Sequence, residues 1–326
     1  MDKHFPTTLQ RAILYFAEYE NCHQFIVDLR WPTGVTCPRC GSSKVTYLEK
    51  ARVWKCYAKH EKPKFSLKVG TIFEDSAIGL DKWLTAVWMI VNCKNGISSY
   101  EIARDLGVTQ KTAWFMDHRI RFALHHGSFE TKMGGDGSTV EVDETYIGGK
   151  ARNMHAHRRA DRIGDKTGGF GKVAVFGLLE RHGSGSRVRT KVIGKFTAQH
   201  LQNEIRANVE SGTNVYTDEF GAYRTLGHTG DFQHDFVRHA ERYVNGNVHT
   251  NGIENFWSCL KRSIGGTYVS VEPFHMFRYL DEQAFRFNER FGDDADRFLS
   301  AMSGIMDKRL TYKVLTGKQD EASREN

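Results

Sequence analysis

Three cysteines and a histidine fall close together in this chain. Cys37-Pro38-Arg39-Cys40-Gly41 is followed by Cys56 and His60, a C-x2-C-x15-C-x3-H arrangement. The Cys-Pro-x-Cys-Gly turn aims two thiolates at one point. A tetrahedral ion then needs two more N or S ligands, which a second hairpin further along can supply. These residues predict a structural zinc site of Cys37, Cys40, Cys56 and His60, closed by four protein ligands and without a catalytic position. The alternative is a set of reduced, buried thiols, which is also the reading for the isolated Cys22, Cys93 and Cys259.

A second set of residues could do different chemistry. Asp143 lies inside an alternating run (Val140, Val142), Asp218 ends the run Val215-Tyr216-Thr217, and Glu254 falls in the first turn of a helical stretch. Three carboxylates brought together repel one another unless a divalent cation neutralises them, and oxygen-only ligands favour Mg²⁺ or Mn²⁺. Two such ions clamp the attacking and leaving oxygens of a phosphoryl transfer. Lys261, seven residues after Glu254 and on the same helical face, would meet a phosphate there; otherwise it is a solvated lysine. Asp136, Glu141, Glu144 and Glu219 are neighbouring acids read as bystanders. The stripe Ile253, Phe256, Trp257 and Leu260 is read as core, since helical spacing accounts for it.

The elements that must position these groups separate into zones. Residues 1–36 predict a short helical segment, 37–75 a zinc ribbon of short strands, and 76–130 a helical segment. Residues 136–295 predict an α/β domain, and 296–326 a C-terminal helix and polar tail. In the α/β zone the sequence predicts strands over 138–147, 172–180 and 187–193, then a helix capped by Thr197. A strand over 213–217, a short helix over 220–226, a strand over 235–239 and a long helix from about Thr250 complete it. The order β-β-β-α-β-α-β-α is that of an RNase H-like domain, in which the first and fourth strands are neighbours and the last helix packs beside them. That order lets Asp143, Asp218 and Glu254 converge across separations of 75 and 36 residues.

In the helical segment, Tyr100 to Leu106, the turn Gly107-Val108-Thr109 and the helix from Gln110 to about Leu124 read as a helix-turn-helix-like unit. Lys111, His118, Arg119 and Arg121 would lie on its second helix, which enters the major groove in that motif. A helical hairpin with a solvated basic face fits the same pattern.

Composition limits the rest. With 326 residues, 46 Lys+Arg against 39 Asp+Glu and a charge of +7, the chain permits nucleic-acid binding without requiring it. Its length allows two or three compact units, and 12% aromatics excludes a disordered chain. The opening MDKHFPTTLQ carries no apolar stretch behind basic residues, and no apolar run approaches the ~20 residues of a membrane span. A soluble, intracellular protein without a membrane partner is expected.

Several stretches resemble one family. Cys37-Pro-Arg-Cys-Gly, Gly70-Thr-Ile-Phe, Ala113-Trp-Phe-Met, Val142-Asp-Glu-Thr-Tyr-Ile-Gly-Gly-Lys150, Tyr216-Thr-Asp-Glu and His249-Thr-Asn-Gly-Ile-Glu-Asn-Phe-Trp-Ser-Cys-Leu-Lys261 are similar, in order, to the IS1595/ISXO2-like insertion-sequence transposases. The resemblance implies a multi-domain α/β protein with an N-terminal zinc ribbon and an RNase H-like catalytic domain of the DDE type. It implies an enzyme that binds the terminal inverted repeats of its element, cleaves the ends and joins them to target DNA, as a homo-oligomer on DNA. Such a protein would be cytoplasmic and nucleoid-associated, in a bacterium or archaeon. The resemblance assigns the triad to Asp143, Asp218 and Glu254, with Lys261 beside them. Similar proteins usually close the zinc site with a second C-x2-C, where this chain has Lys59 followed by His60. A catalytically inactive DNA-binding derivative, or a metal-dependent nuclease without strand transfer, would share much of this pattern. The Arg- and His-rich stretch 151–171 is either an idle solvated loop or, as its exit from the Asp143 strand favours, a segment that grips DNA through Arg158 and Arg159.

Overall fold

The computed structural model describes residues 5–125, 131–149, 171–182, 185–194, 196–237 and 247–317. The chain divides into two compact units, Met1–Leu124 together with Gly292–Asn326, and His125–Phe291. Among the described residues, no helix is long and apolar enough to cross a membrane.

The first unit opens with helices α1 (Leu9–Ala17) and α2 (Tyr19–Arg30), then a small antiparallel sheet of β1 (Val45–Leu48), β2 (Val53–Cys56) and β3 (Lys64–Phe65). Strands this short bury little by themselves. The sheet is secured by Trp54, whose ring stacks at 5.4 Å on His23 of α2 and at 5.8 Å on Phe65. Helix α3 (Leu80–Asn92) is buried without interruption from Trp83 to Val91, as a helix apolar on every side must be. Helix α4 (Ser99–Leu106) starts in a reciprocal capping box between Ser98 and Glu101, and α5 (Gln110–Leu124) follows after Gly107.

The chain returns to this unit after the second one. Helix α9 (Asp294–Ser303) carries Phe298, fully buried, with ring centroids 5.5 Å from Phe16, 5.6 Å from Phe25 and 5.0 Å from Trp88. The short helix α10 (Tyr312–Leu315) follows. The C-terminal segment therefore shares the core of the N-terminal one. The division falls at Phe291/Gly292.

The second unit is built on one five-stranded sheet in the order β6-β5-β4-β7-β8. Its strands are β4 (Thr139–Ile147), β5 (Val173–Arg181), β6 (Arg187–Ile193), β7 (Asn214–Asp218) and β8 (Gln233–Val237). The first three form an antiparallel meander. Helix α6 (Ala198–Asn208) crosses over so that β7 pairs parallel with β4, and β8 pairs parallel with β7. Two helices complete the unit, α7 (Asn251–Ser263) and α8 (Met276–Asn288). Alternation along β4 divides its side chains between two cores. Val140 and Val142 pack with Leu201 and Ile205 of α6, while the opposite face meets Ile253, Phe256, Trp257 and Leu260 of α7.

Two expectations shift in detail. The last strand lies at Gln233–Val237 rather than 235–239, because its register follows β7 from Asn214↔Gln233 to Asp218↔Val237. Its polar start suits an edge strand but obscures it in the sequence. The short helix foreseen over 220–226 is instead two 3₁₀ turns, Gly221–Tyr223 and Leu226–Thr229.

Candidate active site and metal centre

The ribbon brings its four ligand residues together. The donor atoms of Cys37, Cys40, Cys56 and His60 all lie within 4.8 Å of one another, with Cys40 Sγ 3.7 Å from Cys56 Sγ and Cys37 Sγ 3.8 Å from His60 Nε2. A tetrahedron with zinc–sulfur bonds of about 2.3 Å has edges of about 3.8 Å, so the spacing fits zinc. The Cys37–Cys40 turn is closed by the Gly41 N–H donating to the Cys37 carbonyl at 2.8 Å, and Cys56 ends β2. The Cys₃His set supports a structural zinc.

In the second unit, Asp143 projects from the middle of β4 toward α7, and its Oδ2 accepts the Trp257 indole N–H at 2.9 Å. That contact depends on Gly177, which faces Asp143 across the β4–β5 ladder. A Cβ on Gly177 would stand 2.5 Å from the Trp257 ring. Asp218 ends β7, next to β4, and its Oδ1 accepts the Phe220 N–H at 2.9 Å. Glu254 stands in the first turn of α7, where its Oε1 accepts the Thr250 hydroxyl at 2.7 Å. Burial pushes the Asp143 carboxyl up to about 7, with the charges of Asp218 and Glu254 adding to the effect against hydrogen bonds from the Glu144 backbone and Trp257. Lys261 is exposed two helical turns along α7 from Glu254.

Two of the supposed bystander acids are engaged here. Glu144 points to the opposite face of β4 and accepts the Tyr223 hydroxyl; burial pushes it up to about 7 too, aided by Asp218 and Asp143. Glu141 is 1% exposed, and its carboxylate accepts Arg181 Nε at 2.6 Å and the Ile253 N–H at 2.9 Å. Strand alternation puts Glu141 on the Asp143 face, but nothing local announces partners 40 and 112 residues away. Asp136 and Glu219 are exposed.

The basic residues assigned to DNA fare differently. Lys111 is exposed at the start of α5, with its Nζ 4.9 Å from the centre of the Tyr312 ring. Arg119 is corrected: it is 4% exposed, and its guanidinium donates to the carbonyls of Leu310, Ile72 and Glu74 at 3.1, 3.0 and 2.8 Å. From Met116 to Leu124 every residue of α5 except Phe122 is buried, His118 and Arg121 included, so this stretch cannot lie in a DNA groove. Arg158 and Arg159 lie outside the described residues.

Residues 134–288 match the ISXO2-like transposase domain, and residues 19–58 match the transposase zinc-ribbon domain. The ribbon match takes in the three cysteines and stops two residues before His60, whose place as fourth ligand rests on the geometry. A relative described as an uncharacterized protein in the transposable element ISH50 of Halobacterium salinarum is 28% identical over 256 residues, covering 76% of this chain and 83% of that protein. Among solved structures, the cryo-EM structure of a simian T-cell lymphotropic virus intasome in complex with PP2A regulatory subunit B56 gamma is a loose likeness. It has a TM-score of 0.27 and 10% identity over 56% of this chain and 63% of that one, less than two thirds of its length. The chain therefore carries a transposase zinc-ribbon domain followed by an ISXO2-like transposase domain.

Proposed function

We propose that the chain is a metal-dependent DDE transposase. It binds the terminal inverted repeats of its insertion sequence, cleaves the ends and transfers them to target DNA, acting on DNA as a homo-oligomer. The observation that carries this reading is that three acids stand on neighbouring elements of one sheet and the helix packed on it. Asp143 lies on the central strand, Asp218 ends the parallel strand beside it, and Glu254 opens the helix packed on the Asp143 face. The strand order β6-β5-β4-β7-β8, with an antiparallel meander and two parallel additions, supports an RNase H-like assignment.

The donors are carboxylate oxygens, which suit Mg²⁺ or Mn²⁺. Burial, with the charges of Asp218 and Glu254 adding to it, holds the Asp143 carboxyl protonated up to about 7, and a bound cation would favour its ionised form. Asp143, Asp218 and Glu254 would hold the cation, which when bound supplies charge neutralisation at the scissile phosphate and activation of water or a 3′-hydroxyl. The protein's own part is orientation. Each acid is steadied through one oxygen by a donor, Trp257 for Asp143, the Phe220 backbone for Asp218 and Thr250 for Glu254. Lys261 would contact a phosphate of the bound strand. Lys111 and the exposed start of α5 would meet DNA backbone rather than base edges, and phosphate contacts of this sort make binding weaken steeply with salt.

The test is cleavage of a labelled element end in Mg²⁺. The intact chain should nick the end, and Asp143→Ala should bind the same DNA without nicking it. Binding without cleavage by the intact chain would reduce the activity to DNA recognition.

A further inference from the structure

Glu254 is carried by the first turn of α7, so the place of that turn helps to set where its carboxylate stands. Two residues from neighbouring strands do the holding. Glu141 of β4 accepts the Ile253 N–H through Oε2 and the Arg181 Nε through Oε1, at 2.9 and 2.6 Å. Arg181, the last residue of β5, uses its remaining nitrogens on the chain leading into the helix. Its Nη1 donates to the Asn247 carbonyl at 2.8 Å and its Nη2 to the His249 carbonyl at 2.6 Å. The same Nη2 lies 2.7 Å from His249 Nδ1. One guanidinium and one carboxylate thereby fix residues 247, 249 and 253, on both sides of Thr250, whose hydroxyl steadies Glu254.

The pair has features that packing alone does not ask for. A buried ion pair adds little stability compared with apolar side chains of similar volume, because desolvation offsets its attraction. Glu141 is 1% exposed, yet it sits two residues from Asp143 on the same strand face. Its carboxylate occupies the anion-favouring position at a helix N-terminus, where backbone N–H groups point outward. Fit is tight: a Cβ on Gly252 would lie 3.0 Å from both Glu141 carboxylate oxygens and 3.1 Å from Leu179. The helix start is thus pressed onto the sheet at the strand that carries Asp143.

We infer that Glu141 and Arg181 form a positioning clamp that sets Glu254 opposite Asp143 for cation binding. The inference rests on the reading of Asp143, Asp218 and Glu254 as a cation site. Glu141 touches neither cation nor substrate and acts through the helix start, so its effect should run entirely through Glu254.

The experiment is Mn²⁺ binding to the full chain, followed by electron paramagnetic resonance without DNA, for wild type, Glu254→Gln, Glu141→Gln and the double variant. Glu141→Gln should weaken Mn²⁺ binding about tenfold, the scale of losing a residue that orients a metal ligand. In the double variant it should add nothing to Glu254→Gln, since both changes remove the same ligand. A folded Glu141→Gln with wild-type affinity, or effects that add in the double variant, would overturn the clamp while leaving the cation site standing. Wild-type affinity in Glu254→Gln would overturn both. Arg181→Lys covers the case in which Glu141→Gln does not fold. It keeps a positive charge against Glu141 but loses the fork to the Asn247 and His249 carbonyls. It should weaken Mn²⁺ binding severalfold, and unchanged affinity there also overturns the clamp.

Discussion

A buried carboxyl beside two other acids holds its proton far longer than one in water. Asp143 is pushed up to about 7 by burial and by Asp218 and Glu254, whereas an aspartate in the unfolded chain ionises near ~3.9. Below the unfolded value both states are protonated and the site costs nothing. As pH rises toward 7, the unfolded state releases a proton that the folded state keeps, so stability falls, by at most about 4 kcal/mol from this group. Glu144, also pushed up to about 7, acts in the same direction. In Mg²⁺-free buffer, Asp143→Asn should therefore raise the Tm of the second unit. The gain should grow from pH 4 to pH 7 and level off above. Mn²⁺ should stabilise the wild type near pH 8 and the variant much less. Scanning calorimetry across that range checks both statements, and a gain independent of pH would show that the Asp143 environment is not strained by charge.

Elements decide which of the charged residues are available to a partner. Helix α5 carries Lys111 and Arg119 two turns apart, but the helix enters the core after its first turn. Arg119→Ala would leave three carbonyls, of Ile72, Glu74 and Leu310, without their donor and should cost about 3 kcal/mol. Lys111→Ala should leave Tm unchanged and reduce affinity for DNA of any sequence. Thermal melts and filter binding on element-end and random DNA separate the two, and specific loss of end recognition in Lys111→Ala would restore base readout to the helix. The ribbon makes a different demand, since its strands are too short to hold the Cys₃His site closed without an ion. Cys37→Ser should abolish zinc binding, and His60→Ala should weaken it while leaving the three thiolates. Zinc content by atomic absorption checks this; full zinc retention in Cys37→Ser would move the site elsewhere. The sequence made the ribbon legible because its ligands come from adjacent hairpins. It also made Asp143 and Asp218 legible as strand residues, because alternation and the β-β-β-α-β order follow from local periodicity. Arg119 was not legible: a charge pattern on a helix does not tell whether a ring of carbonyls waits for it. Nor was Glu141, whose partners Arg181 and Ile253 reach it only through the tertiary fold.

On the scale of the whole chain, the second unit is an insertion within the first. The N-terminal unit is not complete at Leu124, because Gly292–Asn326 belongs to it. Nothing in the local sequence after residue 292 signals this return, since an amphipathic helix such as α9 shows that it has an apolar face but not which core receives it. The energetic consequence is specific. Phe298 fills the space between Phe16, Phe25 and Trp88, and the Leu310 carbonyl receives Arg119. Removing a buried aromatic alone costs about 3–5 kcal/mol, a large share of a domain's total stability. A chain truncated after Phe291 should therefore lose the N-terminal helical core while the His125–Phe291 unit, whose sheet and two apolar cores are internal, stays folded. Phe298→Ala should do the same in milder form, lowering a first thermal transition and leaving the second in place. The measurement is calorimetry of the full chain, the truncation and Phe298→Ala, with tryptophan fluorescence to assign the transitions. Trp83 and Trp88 report the first unit and Trp257 the second, whose indole meets Asp143. Loss of the Trp257 transition together with the first would mean that the two units fold as one, and that the C-terminal return is needed by the five-stranded sheet as well.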